Sequence, residues 1–585
     1  MHNQYLKKSV LGLAVFALMS AAAYAQPKSA QRKPLTPVTE AMLLNPPAED
    51  WLMWRRTYDA WGYSPLEQIN KNNIKNLRTA WTWAMSPGAT EITPIVHDGV
   101  LFLFNYADKI QALDATNGDL LWEYKRDLPA PLVAERGNPL AKRNMAIFGN
   151  HLIVATSDAN LIALDVNTGK VAWEQAVADW TKGYRYTGGP MVAGGKIVQG
   201  MSGCGNAQPG GCFITGHDPA TGEEKWRFNS IAQPGEPGGD TWNGIPLARR
   251  HGASVWNSGS YDKDTRTIFY GVGQPYPWIA EMSGLSPKKD GMKNDALYAD
   301  STLALDPDTG KLKWHFQHLP NDTWDLDYAY ERILVDLPVN GQTRKTLVTV
   351  GKLGIIEVLD RTNGQWLWHK ETVYQNVVTA IDPKTGAKSI NQESIPHIGK
   401  TTVNCPADPG GRGWPATAYS PRTKMLYLPM NEYCSDTTPV PVEKGKVYTG
   451  GGRAIYARKP IPNSDGNIGR VEAVSLDSQK QAWSFRTRAP QTGAVLATAG
   501  GVIFSGAWDR YVRAFDDQTG KLLWQVRTSN AVNAYPITYA VNGKQYVAVA
   551  VGNGASLATA LATLTPEIRN PDGGSALWVF ALPDE

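Results

Sequence analysis

One short phrase recurs along the chain and constrains its fold more than any other feature. It consists of an apolar pair, an aspartate, a few turn residues that usually include glycine, and a short strand that ends in tryptophan. Copies of this phrase lie at 112–122, 163–173, 216–226, 304–314, 358–368, 475–483 and 514–524. The copy at 475–483 lacks the glycine. A repeat of this kind, with a period of roughly 50 residues, is typical of proteins built from stacked blades.

The repeated unit predicts an all-β structure. In Asp-x-x-Thr-Gly the aspartate caps a hairpin turn and the glycine takes the position that needs a positive φ. One four-stranded unit cannot cover both of its faces, but units packed around a ring can, with tryptophan wedged between neighbours. We therefore predict an eight-bladed β-propeller with tryptophan-docking repeats, as a single domain over residues 26–585. Its last blade would pair strand 79–83 with strand 576–580.

The N-terminus has the features of a signal peptide over residues 1–25. Lys7 and Lys8 precede an apolar run at 10–23, and Ala-Tyr-Ala at 23–25 fits a small-x-small cleavage pattern after Ala25. The apolar run is too short to span a bilayer comfortably, and no later run approaches a transmembrane helix. We expect an exported, periplasmic protein without an integral membrane segment.

Charge and cysteine content narrow the functional classes. Lys+Arg 58 against Asp+Glu 54 gives a net charge of +4, with no basic stripe interleaved with aromatic residues, so no nucleic-acid partner is expected. Four cysteines in an exported chain predict two disulfides, and three connectivities are open. Short loops close most readily, which favours Cys204–Cys212 and Cys405–Cys434. No Cys-x-x-Cys-His motif occurs, so no covalent haem is expected.

An acidic pair directly follows the fourth copy of the repeat. Asp325 and Asp327 are two residues apart, so in an extended segment both carboxylates project to the same side. Carboxylates crowded in this way repel each other unless a cation lies between them or one takes up a proton. The alternative interpretation of the pair is a solvated acidic loop.

With these features the chain resembles the quinoprotein alcohol dehydrogenases, eight-bladed propellers that hold pyrroloquinoline quinone (PQQ) and a metal ion on their axis. The resemblance covers nearly all of the mature chain and begins with Trp-Gly-Tyr-Ser-Pro-Leu-Glu-Gln-Ile-Asn at 61–70. It implies that a primary or secondary alcohol is oxidised to an aldehyde or ketone. It also implies that electrons pass to a soluble c-type cytochrome, and it permits a homodimer.

The resemblance implies a set of residues that contact the cofactor. Trp256 would stack under the quinone, and its place outside the repeated phrase argues against a further docking tryptophan. Arg143 would pair with a cofactor carboxylate, which suits a planar guanidinium. Taken alone, Arg143 and Glu91 would each be interpreted as part of a surface salt bridge. The implied cofactor-binding residues are Glu91, Arg143, Thr156, Ser202, Gly203, Ser254, Trp256, Lys352 and Asn431.

The resemblance also implies a catalytic base and a metal site. Asp325 matches the base, and Lys352 lies where the family has a cation near the reactive quinone carbonyl. The implied metal ligands are Gln274, Asp325 and Asp327. Gln274 replaces the family's usual asparagine, and both amides offer a carbonyl oxygen to a hard cation. Asp327 matches the extra carboxylate of the lanthanide-using branch, so the expected metal is Ca²⁺ or a lanthanide ion.

Two departures from the family pattern stand out. The adjacent cysteine pair expected near 130–140 is absent, and Gly205 and Asn206 stand where a metal-binding glutamate is expected. Whether Asn206 or Asp327 compensates is left open. Two alternatives to a simple alcohol dehydrogenase also remain. One is a quinoprotein for polyols, polymeric alcohols or bulky secondary-alcohol xenobiotics, and the other is a non-enzymatic propeller scaffold, which would keep the repeats without the interior Arg, Trp and Asp set.

Overall fold

The computed structural model describes residues 32–135, 141–205, 210–441, 453–554 and 556–584. The predicted signal peptide at 1–25 and Asn206 lie outside these ranges. Within them the regular secondary structure is almost entirely β-strand, joined by turns and loops. The α-helices are short: Glu40–Leu44, Ala130–Glu135, Ala280–Ser283 and Ser556–Ala562. Within the described ranges no helix is long and apolar enough to cross a membrane.

The strands form antiparallel sheets of four strands that follow one another along the chain. We number them sheets 1 to 8. Sheets 1 to 4 are Ile95–His97, Val100–Asn105, Lys109–Asp114 and Leu120–Lys125; Ala146–Phe148, His151–Ala155, Asn160–Asp165 and Val171–Ala176; Met191–Ala193, Lys196–Gly200, Phe213–His217 and Glu224–Asn229; and Ser260–Asp262, Thr267–Gly271, Ser301–Leu305 and Leu312–Gln317.

Sheets 5 to 8 follow the same plan. They are Ile333–Val339, Gln342–Val350, Ile355–Asp360 and Trp366–Glu371; Ala418–Ser420, Met425–Asn431, Gly469–Ser475 and Gln481–Thr487; Leu496–Thr498, Val502–Gly506, Tyr511–Asp516 and Leu522–Arg527; and Ile537–Val541, Lys544–Val551, Ala576–Ala581 and Arg78–Ala84. Sheet 7 gains a fifth strand, Tyr63–Ser64, parallel to Leu496–Thr498.

Sheet 8 joins the two ends of the chain, as the sequence predicts. Its strand from the N-terminal region pairs antiparallel with its C-terminal strand, with Thr79 opposite Phe580 and Trp83 opposite Leu577. Smaller sheets lie between the large ones: His251–Gly252 with Pro275–Tyr276, Val378–Ile381 with Lys388–Ile390, and Thr402–Asn404 with Tyr433–Pro439 and Ala454–Pro460.

The repeated phrase forms the contact between one sheet and the next. Gly169 ends the turn of sheet 2 with φ 70°, and a Cβ added there would lie 2.5 Å from Cε3 of Trp122 in sheet 1. The indole of Trp122 also donates to the carbonyl oxygen of Val166 at 2.9 Å. Glycine is therefore required both by the turn and by the tryptophan that covers it. The same stacking recurs at Gly118, Gly222, Gly310, Gly364, Gly386 and Gly520.

The aspartate of the phrase caps the turn, as predicted. In sheet 2 the Asp165 carboxylate accepts from the amides of Asn167 and Thr168 at 3.1 and 2.9 Å. In the copy that lacks glycine, Gln479 takes the left-handed conformation with φ 58°. The turn geometry is thus kept where the usual residue is absent.

Candidate active site

The floor of the site is built where two chain segments run side by side. The amide of Val255 donates to the carbonyl of Met201 at 2.8 Å, and that of Gly252 donates to Cys204 at 2.9 Å. A disulfide joins Cys204 to Cys212, and the Cys212 amide donates in turn to Gly252. The second disulfide joins Cys405 to Cys434.

Trp256 lies at the end of this floor with its ring half-buried. Its indole nitrogen donates to Oδ1 of Asp327 at 3.2 Å, and the ring of Tyr330 meets it edge-on with centroids 5.3 Å apart. The guanidinium of Arg143 lies 4.9 Å from the Trp256 ring centroid. Trp256 is thus held in one orientation by contacts at its edge and face.

Arg143 and Glu91 form an ion pair, with Nη2 of Arg143 2.7 Å from Oε2 of Glu91. Both side chains are buried, so this pair is not a surface salt bridge. The Arg143 side chain also donates to the carbonyl of Trp256 at 3.3 Å. A buried cation is thereby placed beside the Trp256 ring.

Lys352 joins the two acidic residues that the sequence singled out. Its ammonium nitrogen lies 2.8 Å from Oδ1 of Asp325 and 2.6 Å from Oδ2 of Asp327. It also donates to the backbone carbonyl of Asp325 at 2.7 Å. The two carboxylates therefore share one buried cation.

The expected extended conformation between the two aspartates is wrong. Asp325 has φ 66°, in the left-handed region, so the alternation of an extended strand does not bring the two carboxylates together. They meet because Lys352 binds both. The loop is held by Asp322, whose carboxylate accepts from the amides of Trp324 at 2.8 Å and Leu326 at 2.6 Å.

Burial and charge perturb the protonation of this cluster. Burial raises the pKa of Asp325 well above its ordinary value; Lys352 acts to lower it and Asp327 to raise it. Burial alone would lower the pKa of Lys352, but the carboxylates of Asp325 and Asp327 raise it well above its ordinary value. Lys352 is therefore the protonated partner, and Asp325 binds a proton more readily than an exposed aspartate does.

Exposure separates the two aspartates. The Asp325 side chain is 21% exposed, whereas that of Asp327 is 5% exposed. Gln274 donates from its amide nitrogen to Oδ1 of Asp325 at 2.5 Å, and its amide oxygen is buried without a hydrogen-bond partner among the described residues. Asp325 can therefore meet a small molecule, while Asp327 and the Gln274 oxygen face inward.

The other predicted cofactor residues differ in where the structure places them. Ser202 lies beside the floor, with its hydroxyl 3.5 Å from that of Thr187. Gly203 has φ 74°, and a Cβ there would lie 2.3 Å from the carbonyl oxygen of Gly183. The Ser254 hydroxyl lies 3.3 Å from the hydroxyl of Tyr276.

Two predicted residues use their side chains elsewhere. The Thr156 hydroxyl is engaged in its own turn, donating to Asp158 at 2.6 Å and accepting from the Asn160 amide at 3.2 Å. The threonine that does contact the floor is Thr187, which the sequence did not reveal. Its hydroxyl donates to the carbonyl of Trp256 at 3.3 Å. The Asn431 side chain bonds the backbone of Gln491 through both its nitrogen and its oxygen, at 3.1 and 2.9 Å.

One wall of the site carries a further ion pair. Arg458 binds both oxygens of Asp408 at 2.8 and 3.0 Å. The Asp408 loop packs on Lys352: Gly411 donates to the Lys352 carbonyl at 2.8 Å, and a Cβ on Gly410 would lie 2.6 Å from Cγ of Lys352.

A separate cluster of possible metal ligands lies at the N-terminal segment. Atoms of Asp50, His97 and Asp98 all lie within 4.8 Å of one another. Both nitrogens of His97 are already engaged, with Asp50 at 2.8 Å and with the carbonyl of Thr36 at 2.7 Å. This cluster therefore fastens the N-terminal segment to sheet 1.

Comparison with known proteins places this arrangement in a family. Residues 51–380 and 465–547 match the family model described as PQQ: Glucose/ethanol/alcohol dehydrogenase, beta-propeller domain. The quinoprotein alcohol dehydrogenase PedH of Pseudomonas putida is 33% identical over 89% of both chains. The quinoprotein ethanol dehydrogenase of Pseudomonas aeruginosa is 32% identical over 89% of this chain and 88% of its own. Among solved structures, a europium-containing methanol dehydrogenase superposes with a TM-score of 0.83 at 28% identity, covering 92% of this chain and 99% of its own.

The chain belongs to this family of β-propeller quinoprotein dehydrogenases. It is a PQQ-dependent alcohol dehydrogenase whose metal is Ca²⁺ or a lanthanide. The match decides against the non-enzymatic scaffold. The residues of the site fit both PQQ and the metal ion. A flat, half-buried Trp256 with the cations Arg143 and Lys352 near it suits a planar polycarboxylate. The buried oxygen of Gln274, which has no partner among the described residues, suits a hard cation.

Proposed function

We propose that this chain is a periplasmic eight-bladed enzyme that oxidises a primary or secondary alcohol to an aldehyde or ketone and passes the electrons to a soluble c-type cytochrome. The eight sheets of four or five strands support the blade count. The observation that carries the function is the Lys352 ammonium between Asp325 and Asp327, beside the Trp256 ring. The single propeller domain over 26–585 and the cleavage after Ala25 belong to the same proposal.

Each side chain has a separate task in the proposed reaction. Asp325, the more exposed aspartate, accepts the proton of the substrate hydroxyl. Lys352 holds that carboxylate in place and presents positive charge where negative charge develops. When bound, PQQ would supply the two-electron oxidising chemistry that removes a hydride from the carbinol carbon. Arg143 would bind one of its carboxylates, and Trp256 would support its ring.

Asp327 and Gln274 would hold the metal ion. Asp327 is poorly placed to act on substrate, because its side chain is only 5% exposed and its Oδ1 accepts from the Trp256 indole at 3.2 Å. Its second oxygen binds Lys352. Carboxylate and amide oxygens are the ligands that Ca²⁺ and lanthanide ions prefer.

The test of this proposal measures turnover of the mature protein loaded with PQQ and either Ca²⁺ or La³⁺, by dye reduction over a panel of alcohols. Asp325→Asn should lose about 10²–10⁴-fold in kcat, the usual contribution of a positioned base, while it still binds PQQ. Wild-type activity equal to that of Asp325→Asn would refute the assignment. A purified c-type cytochrome in place of the dye tests the acceptor.

A second candidate substrate class is a polyol or polymeric alcohol. The ion pair of Asp408 with Arg458 supports it, because the Asp408 carboxylate is close enough to Asp325 to contribute to its raised pKa. A wall of this polarity offers hydrogen bonds to additional hydroxyl groups. Asp408→Ala should lower kcat/KM for polyols more than for unbranched monohydric alcohols, and equal losses would favour simple alcohols.

The choice between Ca²⁺ and a lanthanide is tested at Asp327. Coulombic attraction scales with charge, so Asp327→Ala should lose La³⁺-supported activity more than Ca²⁺-supported activity. Equal losses would leave Asp327 a ligand without a lanthanide preference.

A further inference from the structure

Asp300 is fixed directly beside the turn that carries Gln274. Its amide donates to the carbonyl of Gly273 at 3.1 Å, and its own carbonyl accepts from the His318 amide at 2.8 Å. It precedes the buried strand Ser301–Leu305 of sheet 4. Its φ of 49° lies in the left-handed region, which is unfavourable for a residue other than glycine. Strained residues of this kind often mark functional sites.

The Asp300 carboxyl group has no partner. The residue is fully buried, and neither of its side-chain oxygens has a hydrogen-bond partner among the residues that the structure describes. Asp322, buried to the same degree, has both oxygens bound by backbone amides. An isolated buried carboxylate is strongly disfavoured unless it is neutralised or binds a cation.

Asp300 lies near the acidic cluster, because its amide bonds the carbonyl of Gly273, and a Cβ on Gly273 would lie 2.3 Å from Oδ1 of Asp327. Burial raises the pKa of Asp300 well above its ordinary value, and Asp322, Asp327 and Asp325 raise it further, against Lys352. Asp300, Asp322, Asp325 and Asp327 would place four negative charges near the single charge of Lys352 if all were ionised. Such an excess of negative charge favours a cation of high charge.

We infer that Asp300 is a ligand of the metal ion and completes, with Asp327 and the amide oxygen of Gln274, a site that favours a trivalent ion. The inference rests on the proposed function insofar as the metal belongs to the site beside Trp256. The carboxylates of Asp300, Asp325 and Asp327 do not all lie within 4.8 Å of one another. Ligation by this set therefore requires a side-chain movement, and no side-chain hydrogen bond opposes a rotamer change at Asp300.

The test measures Tb³⁺ binding to the mature protein without quinone or alcohol. Trp256 donates to Asp327 at 3.2 Å, which puts an indole within range to sensitise Tb³⁺ luminescence. Asp300→Asn should weaken Tb³⁺ binding by more than about 100-fold, beyond the 10–100-fold typical of residues that only support a ligand. Luminescence lifetimes in H₂O and D₂O should show at least one additional bound water, since the carboxylate is replaced at the ion.

Asp322→Asn is the matched control, because it removes the same charge from the same cluster. If Asp300 acts by charge alone, the two variants should lose affinity equally and bind the same number of waters as wild type. That result would overturn the inference. Ca²⁺ competition should further show that Asp300→Asn loses more Tb³⁺ affinity than Ca²⁺ affinity.

Stability without metal gives an independent measurement. Asp300→Asn should raise Tm, because the charge of a buried carboxylate without a partner is removed. Asp322→Asn should lower Tm, because a backbone amide loses its acceptor. A fall in Tm for Asp300→Asn would indicate a structural role and overturn the inference. Since neither quinone nor alcohol is present, failure of the dehydrogenase assay would leave these results unaffected.

Discussion

Replacement of Lys352 by methionine should strongly destabilise the metal-free protein. The ammonium lies 2.8 and 2.6 Å from two carboxylate oxygens and is 10% exposed. At an effective dielectric constant of about 20, each contact corresponds to roughly 6 kcal/mol of attraction, which the desolvation of the ammonium largely offsets. Removing one partner leaves Asp325 and Asp327 facing each other without a cation. The expected loss is about 3–5 kcal/mol of unfolding free energy.

Lys345→Met provides the matched control. Its ammonium lies 2.6 Å from Oδ2 of Asp264, as close as the contact between Lys352 and Asp327, but its side chain is 37% exposed. An exposed pair of this kind contributes about 0–1 kcal/mol. Urea unfolding of both variants against wild type therefore compares the same substitution at two depths.

A cation should partly restore the Lys352→Met variant. With the ammonium gone, the acidic cluster should bind La³⁺ more tightly, and binding to the native state alone raises stability by mass action. The midpoint of unfolding should therefore rise more with La³⁺ in Lys352→Met than in wild type. Two results would refute a shared buried cation. One is a loss of unfolding free energy in Lys352→Met no greater than that in Lys345→Met, and the other is a La³⁺ response in Lys352→Met no greater than that of wild type.

Three further predictions concern the turn, the N-terminal segment and the cofactor pair. Gly169→Ala should cost at least about 1 kcal/mol of unfolding free energy, because the left-handed φ disfavours a side chain and Trp122 fills the space. Burial lowers the pKa of His97, but its carboxylate and carbonyl partners raise it above 6.5. The contribution of His97 to the unfolding free energy is therefore full below pH 6.5 and is lost as the pH rises through the raised pKa. The stability gap between wild type and His97→Gln should thus be larger at pH 5.5 than at pH 9 in urea unfolding. Arg143→Lys should weaken PQQ binding roughly 10–100-fold by fluorescence titration, the equivalent of about 1.5–3 kcal/mol for a hydrogen bond to a charged group, because a lysine cannot bind Glu91 and a cofactor carboxylate in the same fork.

The repeat could be interpreted from the sequence because each copy is local. The turn aspartate and the positive φ follow from residues within five positions of each other, and the sheets form as these predict. The stacking of Trp122 on Gly169 joins two different sheets, so turn chemistry alone does not reveal it.

The site residues were harder to predict because their partners are distant in sequence. Thr156 and Thr187 both lie in connections between strands, and only the fold brings Thr187 to the Trp256 carbonyl. The pair Gly188-Gly189, directly after Thr187, was a signal in the sequence for a close approach of two backbones. In the structure a Cβ on Gly189 would lie 1.9 Å from the Asn144 carbonyl oxygen. Asp300 was missed because a single aspartate at the start of a strand is common in exposed positions, and its burial depends on the neighbouring sheets.

The proposed function assigns chemistry and substrate choice to separate pieces of the chain. Asp325 and Gln274 lie in the connections around sheet 4, and backbone hydrogen bonds to Asp322 hold the Asp325 loop. Asp408 lies on a different loop, which the disulfide of Cys405 fastens to the strand Tyr433–Pro439. Because this loop touches Lys352 through its backbone, its side chains can change without moving the ammonium. Substitutions at Asp408 should therefore alter which alcohol is accepted, whereas those at Asp325 should abolish turnover for every alcohol.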